Sequence, residues 1–468
     1  MTSVEQLRQR VKEVGRTIAV AEEMVRLGFL TEADLGQIKL SQEQIKVLSG
    51  EFQLTLEKLI EAEQKLAGLS DTAQLLKEIR AERIAMVKAR REQRKIEKAR
   101  LQAERHVAWE IKKRTEAPFL GTGVSNRLTF EGGHPDRLAQ LKLPRFETFS
   151  EIASAMKFEP ADLVWLCYER GASEVDHYDR FEIPKRSGGT RLISSPKAKM
   201  RKAQLWVNEN ILKNLEPSKY CYAFRPEISI VDNAKQHLNK ALILKCDIKD
   251  FFPTITFNRV RGYFEYLGYN PGIATVLALV CTDAPRVRVT IRGKSQIVAV
   301  GERSLPQGAC TSPALANLIA SRLDSRLAGL VKSFGEDWTY TRYADDLTFS
   351  TNEQDANLGR FLAAVTRVTA DEKFQIKQSK TRIMRSPMRQ SVTGLLVGNE
   401  VRIPKHTIKK MRALFHNIEV KGQDAVSEQI GKNALPVAQG YWSYLHMVNP
   451  ELAAKYLKRY SWLGQKKV

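Results

Sequence analysis

Trp338-Thr339-Tyr340-Thr341-Arg342-Tyr343-Ala344-Asp345-Asp346-Leu347-Thr348-Phe349-Ser350 is the stretch on which the fold turns. Threonine and aromatic residues on both sides favour strands. The aspartate pair is the natural turn between them, so the unit reads as a short hairpin with two carboxylates at its tip. Adjacent ionised aspartates repel each other unless something compensates them. A divalent cation does so, and carboxylate oxygens are the ligands Mg²⁺ prefers. An ordinary polar turn is the competing reading, since aspartate is common in turns; the rest of the chain decides.

A further carboxylate lies far upstream. In Ala241-Leu242-Ile243-Leu244-Lys245-Cys246-Asp247-Ile248-Lys249-Asp250-Phe251-Phe252-Pro253 the apolar run reads as a buried strand ending at Asp247. An aspartate there is costly unless it is paired, hydrogen-bonded or metal-bound. Asp250 reads as a cap or turn residue rather than a ligand. Between the two acidic sites, Ser304-Leu305-Pro306-Gln307-Gly308-Ala309-Cys310-Thr311-Ser312-Pro313 is a loop feeding a helix, with Ser312 as amino-cap and Pro313 in the first turn. Bare backbone at a helix start suits close approach of a nucleotide or template base. Ahead of both, Tyr178 to Pro196 reads as strand, turn and strand around Gly188-Gly189. Lys185, Arg186 and Arg191 place cations on this hairpin. They suit a triphosphate, or simply make a basic surface. Met200 to Leu215 reads as a helix that turns Leu205, Trp206, Val207, Ile211 and Leu212 toward a core. After the aspartate hairpin, Leu358 to Val368 is helical, and Phe374 to Ile383 carries Lys377, Lys380 and Arg382.

At 468 residues the chain calls for two or three domains. A hydrophobic content of 43% excludes global disorder. The formal net charge of +22 points to a polyanionic partner, nucleic acid first. A membrane surface is the rival, but there is no apolar run of spanning length and no amino-terminal signal pattern. A soluble, cytoplasmic protein without membrane contact is expected. Cys167, Cys221, Cys246, Cys281 and Cys310 are scattered, without a Cys-x-x-Cys pair, and read as reduced thiols rather than disulfides or a zinc site.

Residues 1 to 114 contain no proline, so long helices are expected. Ile45, Leu48, Phe52, Leu59, Ala62, Leu66 and Leu69 fall at heptad spacing, with Thr55 at one seam position, which is the pattern of helix pairing within the chain or between subunits. From Lys77 to Arg114 the chain is a dense mix of Lys, Arg and Glu. That fits a solvated helix with i,i+4 ion pairs, or a basic helix along a phosphate backbone. Pro118, Gly121, Gly123, Gly132, Gly133, Pro135 and Pro144 mark residues 115 to 146 as a linker. Phe149 to Arg170 then reads as two short helices around Pro160. Near the other end, Arg402, Lys405, Lys409, Lys410 and Arg412 mark a basic helix whose buried side is Ile408, Met411, Leu414 and Phe415. Tyr441, Trp442, Tyr444, Leu445 and Met447 lie on a second helix, and the tail from Lys455 to Val468 is again basic. Such a unit fits a duplex minor groove or an RNA stem through phosphates and shape.

Taken in order, the motifs are a basic glycine hairpin, a strand ending at Asp247, the Gln307 loop, the Asp345-Asp346 hairpin and a lysine segment. The series resembles the reverse transcriptase family from about residue 180 to about residue 395. The resemblance implies an α+β right-hand polymerase: fingers, a palm with a small antiparallel sheet under helices, and a helical thumb, preceded here by an all-α extension. The expected domains are extension 1–114, linker 115–146, fingers and palm 147–395, and thumb 396–468. It further implies that Asp247 and Asp345 bridge two Mg²⁺ ions and that Asp346 completes the acidic cluster. Lys185 and Arg191 would hold the triphosphate of a deoxynucleotide, and Gln307 would line its pocket. Phe252 would be the aromatic gate against a 2′-hydroxyl, with plain core packing as its alternative. Lys380 would protonate the leaving pyrophosphate.

Asn233-Ala234-Lys235-Gln236-His237 and Val392-Thr393-Gly394 resemble, more narrowly, two signatures of retron reverse transcriptases. That resemblance implies a structured noncoding RNA as template and partner. It implies priming from the 2′-hydroxyl of an internal guanosine, a branched RNA–DNA product (multicopy single-stranded DNA), and a role in defence against phage alongside a toxic effector. RNA contacts are expected at Asn233, His237, Val392, Thr393, Gly394, Arg402, Lys405 and Lys409; a satisfied structural histidine is the alternative for His237, and a chance match the alternative for Val392-Thr393-Gly394. Group II intron enzymes are similar polymerases, but no maturase or endonuclease segment follows the thumb. A non-catalytic RNA-binding scaffold on a polymerase fold is the rival for the whole chain. The extension reads as an RNA-binding or self-associating arm, or as an effector in its own right.

Overall fold

The computed structural model describes residues 3–67, 72–115, 119–185, 188–291 and 293–464. Arg186 on the glycine hairpin, Leu69 at the end of the heptad stripe, Pro118 in the expected linker, and residues 465–468 of the basic tail lie outside them. The chain forms two compact units, Met1–Val107 and Ala108–Val468.

The first unit is all-helical, as the lack of proline predicts: α1 (Ser3–Val14), α2 (Arg16–Arg26), α3 (Glu32–Leu66) and α4 (Thr72–Thr115), the last running past the division. Thr31 and Asp34 start α3 with a reciprocal capping box. The heptad stripe of α3 is not buried within the chain: Ile45, Leu48, Phe52 and Leu59 are 62%, 62%, 69% and 56% exposed. On α4, Ile79, Ile84, Val87 and Ile96 are exposed as well, and Arg100 pairs with Glu104 at i,i+4.

The second unit is built on a four-stranded antiparallel sheet of β1 (Leu242–Asp247), β2 (Thr339–Tyr343), β3 (Asp346–Thr351) and β4 (Arg382–Arg385), in the spatial order β2-β3-β1-β4. The apolar run of β1 is continuous because this interior strand is covered on both faces; Leu242, Ile243, Leu244 and Cys246 are all buried. Helices Phe257–Leu267, Pro271–Cys281, Ser321–Phe334 and Leu358–Asp371 accompany the sheet. In the second of these every residue from Gly272 to Cys281 is buried, as an all-apolar helix requires. The glycine hairpin is two paired strands, Tyr178–Pro184 and Thr190–Pro196.

Several local expectations need correction. The helix expected over Met200–Leu215 is Ala198–Asn210 plus one tight turn, Leu212–Asn214. It presents Ala203, Gln204 and Val207 to the core and leaves Leu205 exposed. Thr311, not Ser312, occupies the amino-cap of Ser312–Ile319; the Ser312 hydroxyl instead donates to Pro306 O at 2.7 Å. A hairpin, Arg286–Ile291 with Lys294–Ala299, pairs with Ala172–Ser173 to make a further sheet.

The thumb helices are Lys405–Lys421, Gln423–Ile430, Ala434–Val448 and Pro450–Arg459. Met411, Phe415, Ala438 and Leu445 share a core with Val392 and Leu395, and also with Val231 and Ala234 from the palm side. The boundary expected at 395/396 therefore falls inside a strand, Leu395–Val397, of a small sheet that belongs to the thumb core. Arg402 lies on the last strand of that sheet rather than on the basic helix, which begins at Lys405.

Candidate active site

Strand register brings the distant carboxylates together. Asp247 stands directly across from Asp346, which also pairs with Tyr343. Cross-strand neighbours in an antiparallel pair have Cβ atoms about 4.5–5.5 Å apart on one face. The turn itself is Ala344-Asp345, with Ala344 at φ 55°, so Asp346 is a strand residue and only Asp345 is at the tip. Ile248 N donates to Asp345 O at 2.8 Å and ties the turn to the end of β1. The three aspartates thus meet at one end of the palm sheet.

Two lysines hold part of this charge. Lys245 Nζ is 2.6 Å from Asp346 Oδ2, and Lys380 Nζ is 2.8 Å from Asp247 Oδ2. Lys245 precedes Asp247 by two residues, so period-two alternation puts it on the same face of the sheet. Burial, then the charge of Asp247, pushes the Asp345 carboxyl above the usual carboxylate range. Burial pushes Asp346 upward too, against the opposing pull of Lys245. Among the described residues no three acidic, His or Cys groups are arranged so as to hold a metal ion. The donor chemistry of the three aspartates is nonetheless of the kind Mg²⁺ takes, all hard carboxylate oxygen, with Lys245 and Lys380 standing as countercharges on two of them.

Asp247 and Asp345 open onto a cleft of about 840 Å³ that is also lined by Lys185, Arg191, Phe252, Gln307 and Lys380. Asp346, half-buried against Lys245, does not line it. Gln307 Oε1 is buried with no protein partner; such an acceptor costs stability unless a ligand or water meets it. The hairpin and the Gln307 loop are locked together: Ser194 N donates to Gln307 O at 2.7 Å. Gly308, at φ 113°, is packed so closely that a Cβ would lie 2.9 Å from both Ile193 Cγ2 and Ser194 O. No other residue fits there without displacing the hairpin.

Sequence reasoning missed the support beneath the turn. Arg342 and Asp324 are both fully buried and joined by two hydrogen bonds of 2.7 and 2.8 Å. Arg342 also donates to Asn317 Oδ1 at 3.0 Å and to Ala344 O at 3.3 Å. Lys245 was missed as well, although its spacing from Asp247 was a usable signal.

The expected RNA-contacting set divides. Asn233, His237 and Val392 are fully buried, which corrects the expectation that their side chains face RNA. His237 bridges the sheet through Nδ1 to Ser350 Oγ at 2.7 Å and Nε2 to Thr341 Oγ1 at 2.8 Å. The second signature is tied to the start of the helix, Ile230–Lys235, that leads into the first: Thr393 Oγ1 donates to Ile230 O at 3.3 Å. Gly394, Arg402, Lys405 and Lys409 are exposed, and Thr393 is half-buried. Gly394 lines a groove of about 1230 Å³ with Arg382, Arg389, His406, Lys410 and Tyr441.

Burial pulls the His237 imidazole down to about 3. A folded-state value below the unfolded one means stability is full above the ordinary histidine range, near 6.5, and is lost as pH falls from there toward 3. His237→Gln, which carries no titrating ring, is expected to flatten this acid limb, which amounts to a few kcal/mol. Urea midpoints from pH 7 to pH 4 measure it; identical slopes for wild type and variant would contradict the buried neutral ring.

With this geometry in place, comparison with known proteins is informative. Residues 183–414 match the family model for reverse transcriptase (RNA-dependent DNA polymerase). The retron Mx162 reverse transcriptase of Myxococcus xanthus is 35% identical over 391 residues, covering 79% of each chain. The retron Mx65 reverse transcriptase of the same organism is 38% identical over 323 residues, or 69% of this chain and 73% of the relative. The retron Ec86 reverse transcriptase of Escherichia coli is 33% identical over 285 residues, or 60% of this chain and 81% of the relative. A relation this extensive, over a palm that pairs Asp247 with Asp346, means that the chain belongs to the retron reverse transcriptases and is an RNA-directed DNA polymerase.

Proposed function

We propose that the enzyme copies a structured noncoding RNA into branched multicopy single-stranded DNA, starting from the 2′-hydroxyl of an internal guanosine. The observation that carries the chemistry is that Asp247, cross-strand from Asp346, opens together with Asp345 onto a cleft with cationic, amide and aromatic walls. Asp247, Asp345 and Asp346 would hold two Mg²⁺ ions. When bound, such ions supply activation of the attacking hydroxyl and stabilisation of the leaving oxygen. Lys185 and Arg191 neutralise and orient the triphosphate. Lys380, within reach of Asp247, donates a proton to the departing pyrophosphate. The resemblance of Asn233–His237 and Val392–Gly394 to the retron signatures is the basis for adding a branched product, a role in defence against phage, and an effector protein as partner. Arg402, Lys405 and Lys409, all exposed, would follow RNA phosphates. The exposed stripe of α3 supports self-association. No helix among the described residues is long and apolar enough to cross a membrane, and we place the enzyme in the cytoplasm.

Phe252 lines the cleft against Phe251 and is only partly buried. Phe252→Val is expected to raise ribonucleotide over deoxynucleotide incorporation by roughly 10–10²-fold, because a steric clash is removed. Competing primer-extension rates read this directly. An unchanged ratio together with a lowered melting temperature would make Phe252 a packing residue only.

The product assignment is tested by purifying the protein from cells with its nucleic acid and sequencing what is bound. A guanosine joined through its 2′-oxygen to the 5′ end of DNA is the expected result. Linear DNA from an external 3′ primer would contradict it.

A further inference from the structure

Phe224 is not accounted for by the core or by local turn geometry. Its side chain is 52% exposed, and its backbone sits at φ 55°, a left-handed conformation that bulky residues rarely adopt. Glycine or asparagine would adopt that backbone more readily. A large apolar ring kept both exposed and strained is the pattern of a ligand-contacting position.

The loop that carries it is tied to β2 and to Asn317. Tyr222 N donates to Arg342 O at 2.9 Å, Arg342 N donates to Tyr220 O at 2.8 Å, and Asn317 Nδ2 donates to Ala223 O at 2.7 Å. Arg342 is also the residue whose guanidinium holds Ala344 O in the aspartate turn. One buried framework therefore sets the Phe224 ring and the Asp345 carboxylate relative to each other. The ring lines the same cleft as Lys185, Arg191, Asp345 and Gln307. Its centroid lies 6.5 Å from that of Phe252, with the ring planes tilted by 49°.

We propose that Phe224 is a specificity-determining residue that contacts the incoming deoxynucleotide, forming with Phe252 an apolar wall against its sugar and base. The cations and carboxylates of the cleft serve the triphosphate end of the nucleotide. The aromatic pair supplies the surface that its uncharged end needs, and aromatic faces stack on any base without reading sequence. This inference rests on the reading of the cleft as the nucleotide site.

The test is steady-state and pre-steady-state primer extension by the full-length protein, comparing wild type, Phe224→Gly and Phe224→Leu. Binding of an RNA-template, DNA-primer duplex is measured separately. Phe224→Gly removes the ring and also relieves the left-handed backbone, so its melting temperature should not fall below that of wild type. The expected result is a KM for deoxynucleotide raised about tenfold in Phe224→Gly, a smaller rise in Phe224→Leu, kcat within about threefold, and unchanged duplex affinity. An unchanged KM would overturn the proposal. Weakened duplex binding with KM unmoved would overturn it too, since the ring would then serve the template. Asp345→Asn, assayed alongside, separates the two levels. If it is inactive while Phe224→Gly behaves as wild type, only the role of Phe224 fails. If Asp345→Asn polymerises normally, the cleft is not the nucleotide site.

Discussion

Arg342→Met is expected to lower folding stability by about 3–5 kcal/mol, because it leaves the Asp324 carboxylate buried without its countercharge. Both groups are fully buried, so water cannot compensate. Asp324 would keep only the hydroxyl of Tyr340, which donates to Oδ1 at 2.7 Å. The same substitution removes the donors to Asn317 and to Ala344 O. The active-site turn should therefore loosen as the fold weakens. Urea unfolding at neutral pH measures the first effect. The double variant Arg342→Met with Asp324→Asn should recover much of the loss, since no unpaired charge remains. A single variant within about 1 kcal/mol of wild type would show that the pair does not support the palm.

Asp345→Asn is expected to reduce nucleotidyl transfer on the order of 10³-fold, the scale of removing a group aimed at transition-state charge. Its effect on stability should run the other way. Asp345 is held above its ordinary titration range by burial and by the facing charge of Asp247. In metal-free buffer its ionised form is thus a cost to the fold, and asparagine keeps the shape without the charge. The variant should melt at or above the wild-type temperature while being almost inactive. An inactive protein that melts well below wild type would indicate simple misfolding.

The motifs that declare the palm were legible because each is local. The strand ending at Asp247, the Gly188-Gly189 hairpin and the Asp345-Asp346 turn are each set by a handful of neighbouring residues, and the structure contains all three elements. Their order carried the fold class. Pairing across the sheet is not local, and neither the Asp247–Asp346 register nor the Arg342–Asp324 bond could be read from spacing. His237 shows where sequence leaves two readings open. A histidine in a signature invites a functional role, and a lone histidine beside a helix is usually a satisfied structural one; its ring is enclosed by Ser350 and Thr341 from elements far along the chain. The heptad stripe of α3 was read correctly as helical, but sequence could not say that Ile45, Leu48 and Phe52 would stay exposed within the chain. Phe224 gave no signal, because neither its left-handed backbone nor the cleft around it is encoded in neighbouring residues.

The central claim is that Asp247 belongs to the same reacting centre as Asp345 and Asp346. Single-turnover incorporation of one deoxynucleotide on an RNA template, by wild type and by Asp247→Asn at matched duplex occupancy, tests it most directly. A loss on the order of 10³-fold with duplex affinity retained is the predicted result. Incorporation by Asp247→Asn at the wild-type rate would contradict it.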